Sequence, residues 1–429
     1  MTGLASPHGF SPVRYVLPNG LTLLVAETGT TPSVTLHIAV TAGAACDPPG
    51  APGLSHFLSR TIDRGTITRS ADEIADVLDS RGVSLTVSTS VHTLSFTCTC
   101  LTEDLEPVLA LVADVVRSPA FPVSETETRR GEVVTMIRQD QDNPAIIATD
   151  GLLGLLYGDT HPYGRPVRGS LASVSAMTAD ALRRFHAAAV TPGATTAIIV
   201  GDVDPSWCLE AVSLTLGDWR NAAPAMPVPP LLPVSPSAER RRRVVPMMAK
   251  AQTEIAYGWI GLARRDPAYE AAWIMNSILG QYALGGRLGE RIREREGMAY
   301  HVSSALEASV VPGPLVVRAG VSAENVPRAL TAIDAELTAL AMDGPTDQEV
   351  RESRQYLIGS IPRWLETDTA IAGFLQAAEF FGLGLDYHRQ VSDRLRAVSR
   401  DEVHAVARSL LVPSRAAVVV AGPFDGEIA

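Results

Sequence analysis

The sequence predicts an α+β fold made of two tandem homologous domains, each a largely antiparallel sheet covered by helices. Three observations carry this. Residues 177–201 align without a gap on residues 398–422, an offset of 221. A chain of 429 residues is long enough for two domains with sizeable cores. In both halves, strand and hairpin patterns are grouped with amphipathic helical periodicity. The aligned copies share their details: Thr178 or Ser399 at a helix N-cap, an amphipathic helix, Pro192 or Pro413, then an apolar strand ending in Gly201 or Gly422. The expected domains are residues 1–220 and 244–429, joined by a linker over 221–243. Asn221 to Pro236 carries six prolines in sixteen residues, the composition of a semi-stiff extended segment.

In order along the chain, Arg14–Leu17 and Leu21–Ala26 flank Pro18-Asn19-Gly20 as a hairpin, and Val34–Thr41 reads as a third strand. A helix through His56 follows, then one opened by a Ser70/Glu73 capping box. Ser84–Ser90 and Thr93–Leu101 read as a second hairpin, and helices are expected over Leu105–Ser118 and Ser124–Gln141. The second copy opens with strand Thr253–Gly261 and helix Tyr269–Leu279, continues with strands Ala299–Ala308 and Pro314–Val321, and then turns mostly helical. Hairpins grouped with helices argue for sheets covered on one face. The Arg240 to Arg243 run reads as the solvated edge of the second domain's first strand.

Composition narrows the function. With 46% hydrophobic residues the chain is a globular protein. A formal net charge of −11 disfavours nucleic acid and anionic membranes as partners, and leaves room for a basic or mixed peptide. No run approaches the ~20 apolar residues of a membrane span. Met1 to Pro12 lack the apolar core and basic flank of a secretion signal, so a soluble cytoplasmic protein is expected. Cys46, Cys98, Cys100 and Cys208 form no C-x-x-C pair and read as buried free thiols, with Cys98 and Cys100 on one face of a strand.

The stretch that carries chemistry is Gly53-Leu54-Ser55-His56-Phe57-Leu58-Ser59-Arg60. Zinc peptidases with H-x-x-E-H on a helix use two His one turn apart as ligands and the Glu to deprotonate water. Here only the first His survives, as His56. Ser59 stands at the base and Arg60 at the second ligand. A guanidinium stays charged at working pH and repels a divalent cation. A lone His on an apolar helix then reads as structural.

Several flanking segments widen the match. They are Leu17 to Leu21, Val34 to Gly43, Gly53 to Phe57, Arg64-Gly65-Thr66, His161-Pro162-Tyr163-Gly164-Arg165, and the pair Arg293 and Tyr300. From about residue 12 to residue 422 the chain resembles the pitrilysin/insulinase family, which includes the mitochondrial processing peptidase. The resemblance implies two halves facing each other across a cleft, together half of a clamshell. It implies a third zinc ligand, a Glu, on a later helix. With Ile137 and Asp142-Asn143-Pro144 fixing the register, that position falls on Met136, a soft neutral donor. Seven residues earlier, where the family has a supporting Glu, stands Arg129. Glu132, about one helical turn from the ligand position, is a poor substitute. Thr86-Val87 replaces the family's Asn-Ala on a substrate-binding strand edge, which leaves only main-chain pairing to hold a peptide.

What the resemblance retains lies in the second half. Gly285-Gly286-Arg287-Leu288 leads to Arg293 and Tyr300, seven residues apart. In the family such a pair reaches across the cleft to substrate at the zinc of the opposing half. A guanidinium can grip a peptide carbonyl and a phenol can donate to an oxyanion. Spacing alone favours an ordinary helix charge and a strand core residue; the whole match favours a functional pair. The implied protein is the non-zinc subunit of a heterodimeric metallopeptidase, inactive alone and holding no metal. Zinc is expected in a homologous H-x-x-E-H partner, and a peptide is the substrate. A catalytically silent scaffold or peptide-binding subunit stays open as the alternative.

Overall fold

Pro18-Asn19-Gly20 makes the first turn because Gly20 takes φ 89°, a conformation that favours glycine. It joins β1 (Val13–Val16) to β2 (Thr22–Glu27), and Asn19 Nδ2 donates to the carbonyl of Leu216 at 2.7 Å. The computed structural model describes residues 10–29, 31–220, 231–232, 234–281 and 286–428. Much of the expected linker, residues 221–230 and 233, and Gly285 of the glycine pair lie outside these described residues.

The chain continues through β3 (Ser33–Val40), α1 (Leu54–Thr61), α2 (Ala71–Asp79), β4 (Thr86–Thr89), β5 (Leu94–Leu101), α3 (Leu105–Arg117) and α4 (Val123–Gln141). Next come α5 (Pro144–Tyr157), α6 (Leu171–Ala176), α7 (Ala179–Ala189), β6 (Thr195–Gly201) and α8 (Pro205–Leu216). The second half holds β7 (Arg241–Pro246), β8 (Thr253–Ile260), α9 (Tyr269–Asn276), β9 (Ala299–Leu306), β10 (Pro314–Val321) and α10 (Val326–Met342). It ends with α11 (Asp347–Trp364), α12 (Asp368–Phe381), α13 (Tyr387–Ala397), α14 (Arg400–Leu410) and β11 (Ala417–Gly422). Two further segments, Ser277–Gln281 and Gly289–Arg295, are π-helical.

The first sheet has the order β1-β2-β6-β3-β5-β4 and the second β7-β11-β8-β10-β9. Apart from β1 the two orders are the same, element for element. In each, one parallel pair (β2 with β6, β7 with β11) sits in an otherwise antiparallel sheet. The shared strand order carries the repeat beyond the aligned segments, and within them Thr178 and Ser399 both cap, and Gly201 and Gly422 have φ 146° and 147°.

The chain divides into two compact units, and each takes a segment from the other half of the sequence. Unit 1 is residues 1–137, 166–230 and 362–389; unit 2 is residues 138–165, 231–361 and 390–429. Within unit 1, α12 packs on β3 and β6; within unit 2, α5 packs on β8 and β11. The expected division at 221–243 is therefore a division of the sequence rather than of these units.

The expectation that each sheet is covered on one face is corrected. In unit 1 one face carries the core with Leu23, Val25, Leu36, Ile38 and Ile199, and the other buries Leu24, Ala26, Ile198 and Val200 against Ile371 and Leu375 of α12. Strands buried on both faces read as continuous apolar runs, as Leu23 to Ala26 and Ala197 to Val200 do. Among the described residues no helix is long and apolar enough to cross a membrane.

Candidate functional site

α1 starts without a capping side chain of its own, at Gly53 with φ 91°. A Cβ there would lie 2.7 Å from the carbonyl oxygen of Arg168, so only glycine fits. The buried carboxylate of Asp47 supplies the cap, accepting from the N–H groups of Gly53 at 2.6 Å and Ser55 at 2.8 Å. Sequence reading missed Asp47, because the cap acts from six residues outside the helix.

On α1, Phe57, Leu58 and Ser59 turn into the core while Arg60 is exposed. Ser59, the residue at the general-base position, donates its hydroxyl to the carbonyl of His56 at 2.7 Å. It is satisfied within its own helix and points at no reacting group. β4 runs beside this helix: Thr89 Oγ1 donates to the carbonyl of Ser55 at 3.2 Å.

On α4, Arg129 binds both oxygens of Glu132, at 2.6 and 2.7 Å. The carboxylate that stood nearest to a substitute ligand is thus committed to a guanidinium. Met136 is half-buried against the unit 1 core. The residue that sequence reading passed over is Asp63. Its carboxyl is held above the ordinary range, first by burial, against the opposing pull of Arg64, Arg129 and Arg60. Arg64 Nε lies 3.2 Å from Asp63 Oδ1. Only the tertiary structure shows that these cations, from two helices and a loop, act on one carboxyl.

A zinc ion does not fit this constellation. Of the three ligand positions one is a His, one a cation and one a thioether, and a second cation stands in support. Among the described residues no group of three or more His, Cys, Asp or Glu is placed to hold a metal.

The second candidate region is in unit 2. Residues 289–295 form a π-helical turn, a geometry frequent at functional sites. Gly297, at φ 61°, ends it and turns the chain into β9. Three of its neighbouring arginines are engaged beyond adjacent residues. Arg287 binds Glu349 through Nε at 2.6 Å and Nη2 at 2.9 Å; Arg291 pairs with Glu296 and Glu336; Arg295 pairs with Glu290. Arg293 is exposed and has, among the described residues, only a loose 3.6 Å contact with the adjacent Glu294.

Tyr300 lies at a register break on β9, an edge strand. Gly320 pairs with His301 and Val321 with Ala299, so Tyr300 is the extra residue of a bulge. Bulges re-aim side chains, and Tyr300 is 84% exposed. Tyr300 is therefore not a core residue, and Arg293 is exposed on the π-helical turn. Sequence reading also missed what holds the bulge. His301 and Glu254 are the opposite neighbours of Gly320, on β9 and β8. With no side chain on Gly320, His301 Nε2 reaches Glu254 Oε2 at 3.3 Å.

The other motifs are structural. His161 Nδ1 accepts from the N–H of Tyr163 at 3.1 Å, and the Tyr163 hydroxyl donates to Ser309 Oγ at 2.8 Å, which anchors one loop within unit 2. The four cysteines are free and buried, and burial pushes Cys98 and Cys208 up to about 12, far from a reactive thiolate. Of the basic run, β7 is an edge strand as expected, but Arg240 is largely buried. It pairs with Asp334 at 2.7 Å and stacks over Tyr257.

Two repeated α+β units, with His56 on a helix spaced like a peptidase zinc helix, define a zinc-peptidase-like chain. Residues 22–169 match the insulinase (peptidase family M16) profile, and residues 176–357 match the peptidase M16 inactive domain. An uncharacterized zinc protease of Mycobacterium tuberculosis (strain ATCC 25618 / H37Rv) is 30% identical over 424 residues, covering 97% of this chain and 94% of that protein. One from Streptomyces coelicolor is 28% identical over 431 residues, covering 99% and 92%. The chain belongs to peptidase family M16. A crystal structure of a peptidase M16 inactive domain from Pseudomonas fluorescens aligns with TM-score 0.89 at 24% identity, covering 97% of this chain and 100% of that one. A Helicobacter pylori protease aligns with TM-score 0.89 at 17% identity, covering 96% and 99%. These two likenesses establish the fold.

Proposed function

We propose that this chain is the non-zinc subunit of a heterodimeric metallopeptidase, contributing Arg293 and Tyr300 to peptide cleavage at a zinc held by a homologous H-x-x-E-H partner. The observation that carries this reading is a contrast among neighbouring arginines. Arg287, Arg291 and Arg295 are engaged in ion pairs beyond adjacent residues, whereas Arg293 has only the loose contact with Glu294, and the bulge that follows projects Tyr300. The chain binds no zinc itself, since its donor set does not suit the metal. Its part is to complete the chamber, to hold a peptide carbonyl through the Arg293 guanidinium, and to donate a hydrogen bond from the Tyr300 phenol to the oxyanion. Donors of this kind are worth about 10²–10³ in rate. Four buried, unpaired thiols favour a reducing, cytoplasmic setting.

The test is peptide hydrolysis by a co-encoded H-x-x-E-H homologue titrated with this chain. Wild-type chain should activate it and saturate near one to one, and Arg293→Ala/Tyr300→Phe should lose about a hundredfold in kcat at unchanged stoichiometry. Equal activation by the double variant would assign the chain to scaffolding. No activation by either form would leave a silent peptide-binding subunit.

A further inference from the structure

The ion cluster at the vestigial metal position has its own chemistry. Arg60, Arg64 and Arg129 all act on Asp63, and Glu132 is the carboxylate bound to Arg129. Three guanidinium groups face two carboxylates, which leaves one positive charge in excess. The pairing shows where that excess resides. Arg129 is held by Glu132, and Arg64 contacts Asp63 at 3.2 Å. Arg60 is exposed and has no hydrogen bond or close ion pair among the described residues. Loss of a metal site requires only that donors disappear. Here the resemblance puts a cation at one ligand position and a second at the supporting position, so the replacements add positive charge as well as removing donors.

The surroundings suit an extended peptide. β4, whose Thr89 touches α1 through Ser55, is the edge strand of its sheet and leaves one row of main-chain groups unpaired by the sheet. The strand edge and Arg60 belong to two neighbouring elements, β4 and α1. Guanidinium groups recognise carboxylates by paired, charge-assisted hydrogen bonds.

We propose that Arg60, backed by the Arg64/Asp63 and Arg129/Glu132 pairs, is a binding site for a peptide carboxylate. The carboxylate comes either from an acidic side chain or from a free C-terminus. The site belongs to unit 1 and does not depend on Arg293 and Tyr300, so it stands whether or not their proposed role does.

The experiment uses the full chain alone and fluorescence anisotropy of labelled peptides at low ionic strength. One peptide carries Glu residues and an amidated C-terminus, a second has Gln in their place and a free C-terminus, and a third has Gln and an amidated C-terminus. At least one of the first two should bind about tenfold more tightly than the third, the range of one charge-assisted contact. Which one does so identifies the source of the carboxylate. Arg60→Gln should abolish the preference, Arg60→Lys should retain part of it, and Arg69→Gln, a control arginine engaged with Asp114, should leave it intact. Equal affinity for all three peptides, including no binding of any, would overturn the proposal. So would a preference that survives Arg60→Gln. No partner and no hydrolysis enter the measurement, so its outcome is independent of the activation experiment.

Discussion

His56, Arg60 and Met136 stand where the resemblance expects three zinc donors, and the mismatch there is chemical rather than geometric. The peptidase helix is still folded and still capped, by Asp47. Replacing Arg60 by His and Met136 by Glu should therefore return three donors to a standing frame. The double variant is expected to retain zinc through gel filtration, approaching one equivalent by elemental analysis, whereas Arg60→His alone should not. Absence of zinc from the double variant would refute the register that places Met136 at the third ligand. No hydrolysis is expected even then, because Ser59 still occupies the base position with its hydroxyl on the His56 carbonyl. The donor positions are assigned from spacing on one helix, and Met136 through the Asp142-Asn143-Pro144 register. The Asp47 cap was not legible in the sequence, because it reaches the helix from outside the usual N-cap position, and Asp63 was not, because Arg129 reaches it only through tertiary structure.

At the level of elements, the caps were the most legible feature, since a cap is local chemistry. Thr178 accepts from the N–H of Ala181, and Ser399 and Glu402 form a reciprocal capping box. Thr178→Ala should cost about 1 kcal/mol in urea unfolding. The Ser399 box adds a pH dependence. The N–H and hydroxyl of Ser399 hold the Glu402 carboxyl below the ordinary range. A depressed carboxyl contributes stability above its unfolded pKa, and that contribution is lost as pH falls through the folded one. The stability gap between wild type and Glu402→Gln should therefore close as pH drops below about 4, whereas the Thr178→Ala gap should persist. A gap that stays constant for Glu402→Gln would remove the box as its cause. Strand and helix positions were also legible from periodicity. The π-helical turns at 277–281 and 289–295 were not, because they lack a distinct apolar period and insert extra residues into one. The bulge at Tyr300 depends on cross-strand pairing with Gly320 and Val321, which a single segment does not display.

Across the whole molecule, the repeat announced two copies, but it could not announce that each copy completes its fold with a helix from the other half. That exchange follows from the apolar runs of β2 and β6, which bury both faces and so require a second cover. Unit 1 takes that cover from α12, where Ile371 and Leu375 close over Leu24, Ala26, Ile198 and Val200. Polar contacts fix its position: Gln376 Oε1 meets His37 Nε2 at 2.8 Å, and Glu379 accepts from Arg14 at 2.8 Å. Residues 1–220 expressed alone would expose Leu24, Ile198 and Val200, at about 1.5–3 kcal/mol for each. A domain is stable by only about 5–15 kcal/mol, so this loss is enough to unfold or loosen it. The fragment should therefore bind a hydrophobic dye and melt without a cooperative transition. Co-expression with residues 231–429, which contain α12, should suppress dye binding and restore cooperative melting, because the missing cover is returned without a covalent link. The Leu375→Ala form of that second fragment should restore it less well, since truncating a buried leucine costs about 2–5 kcal/mol. If residues 1–220 alone melt cooperatively and bind no dye, the far face of the sheet does not need α12, and the linear division at 221–243 is then the folding division as well.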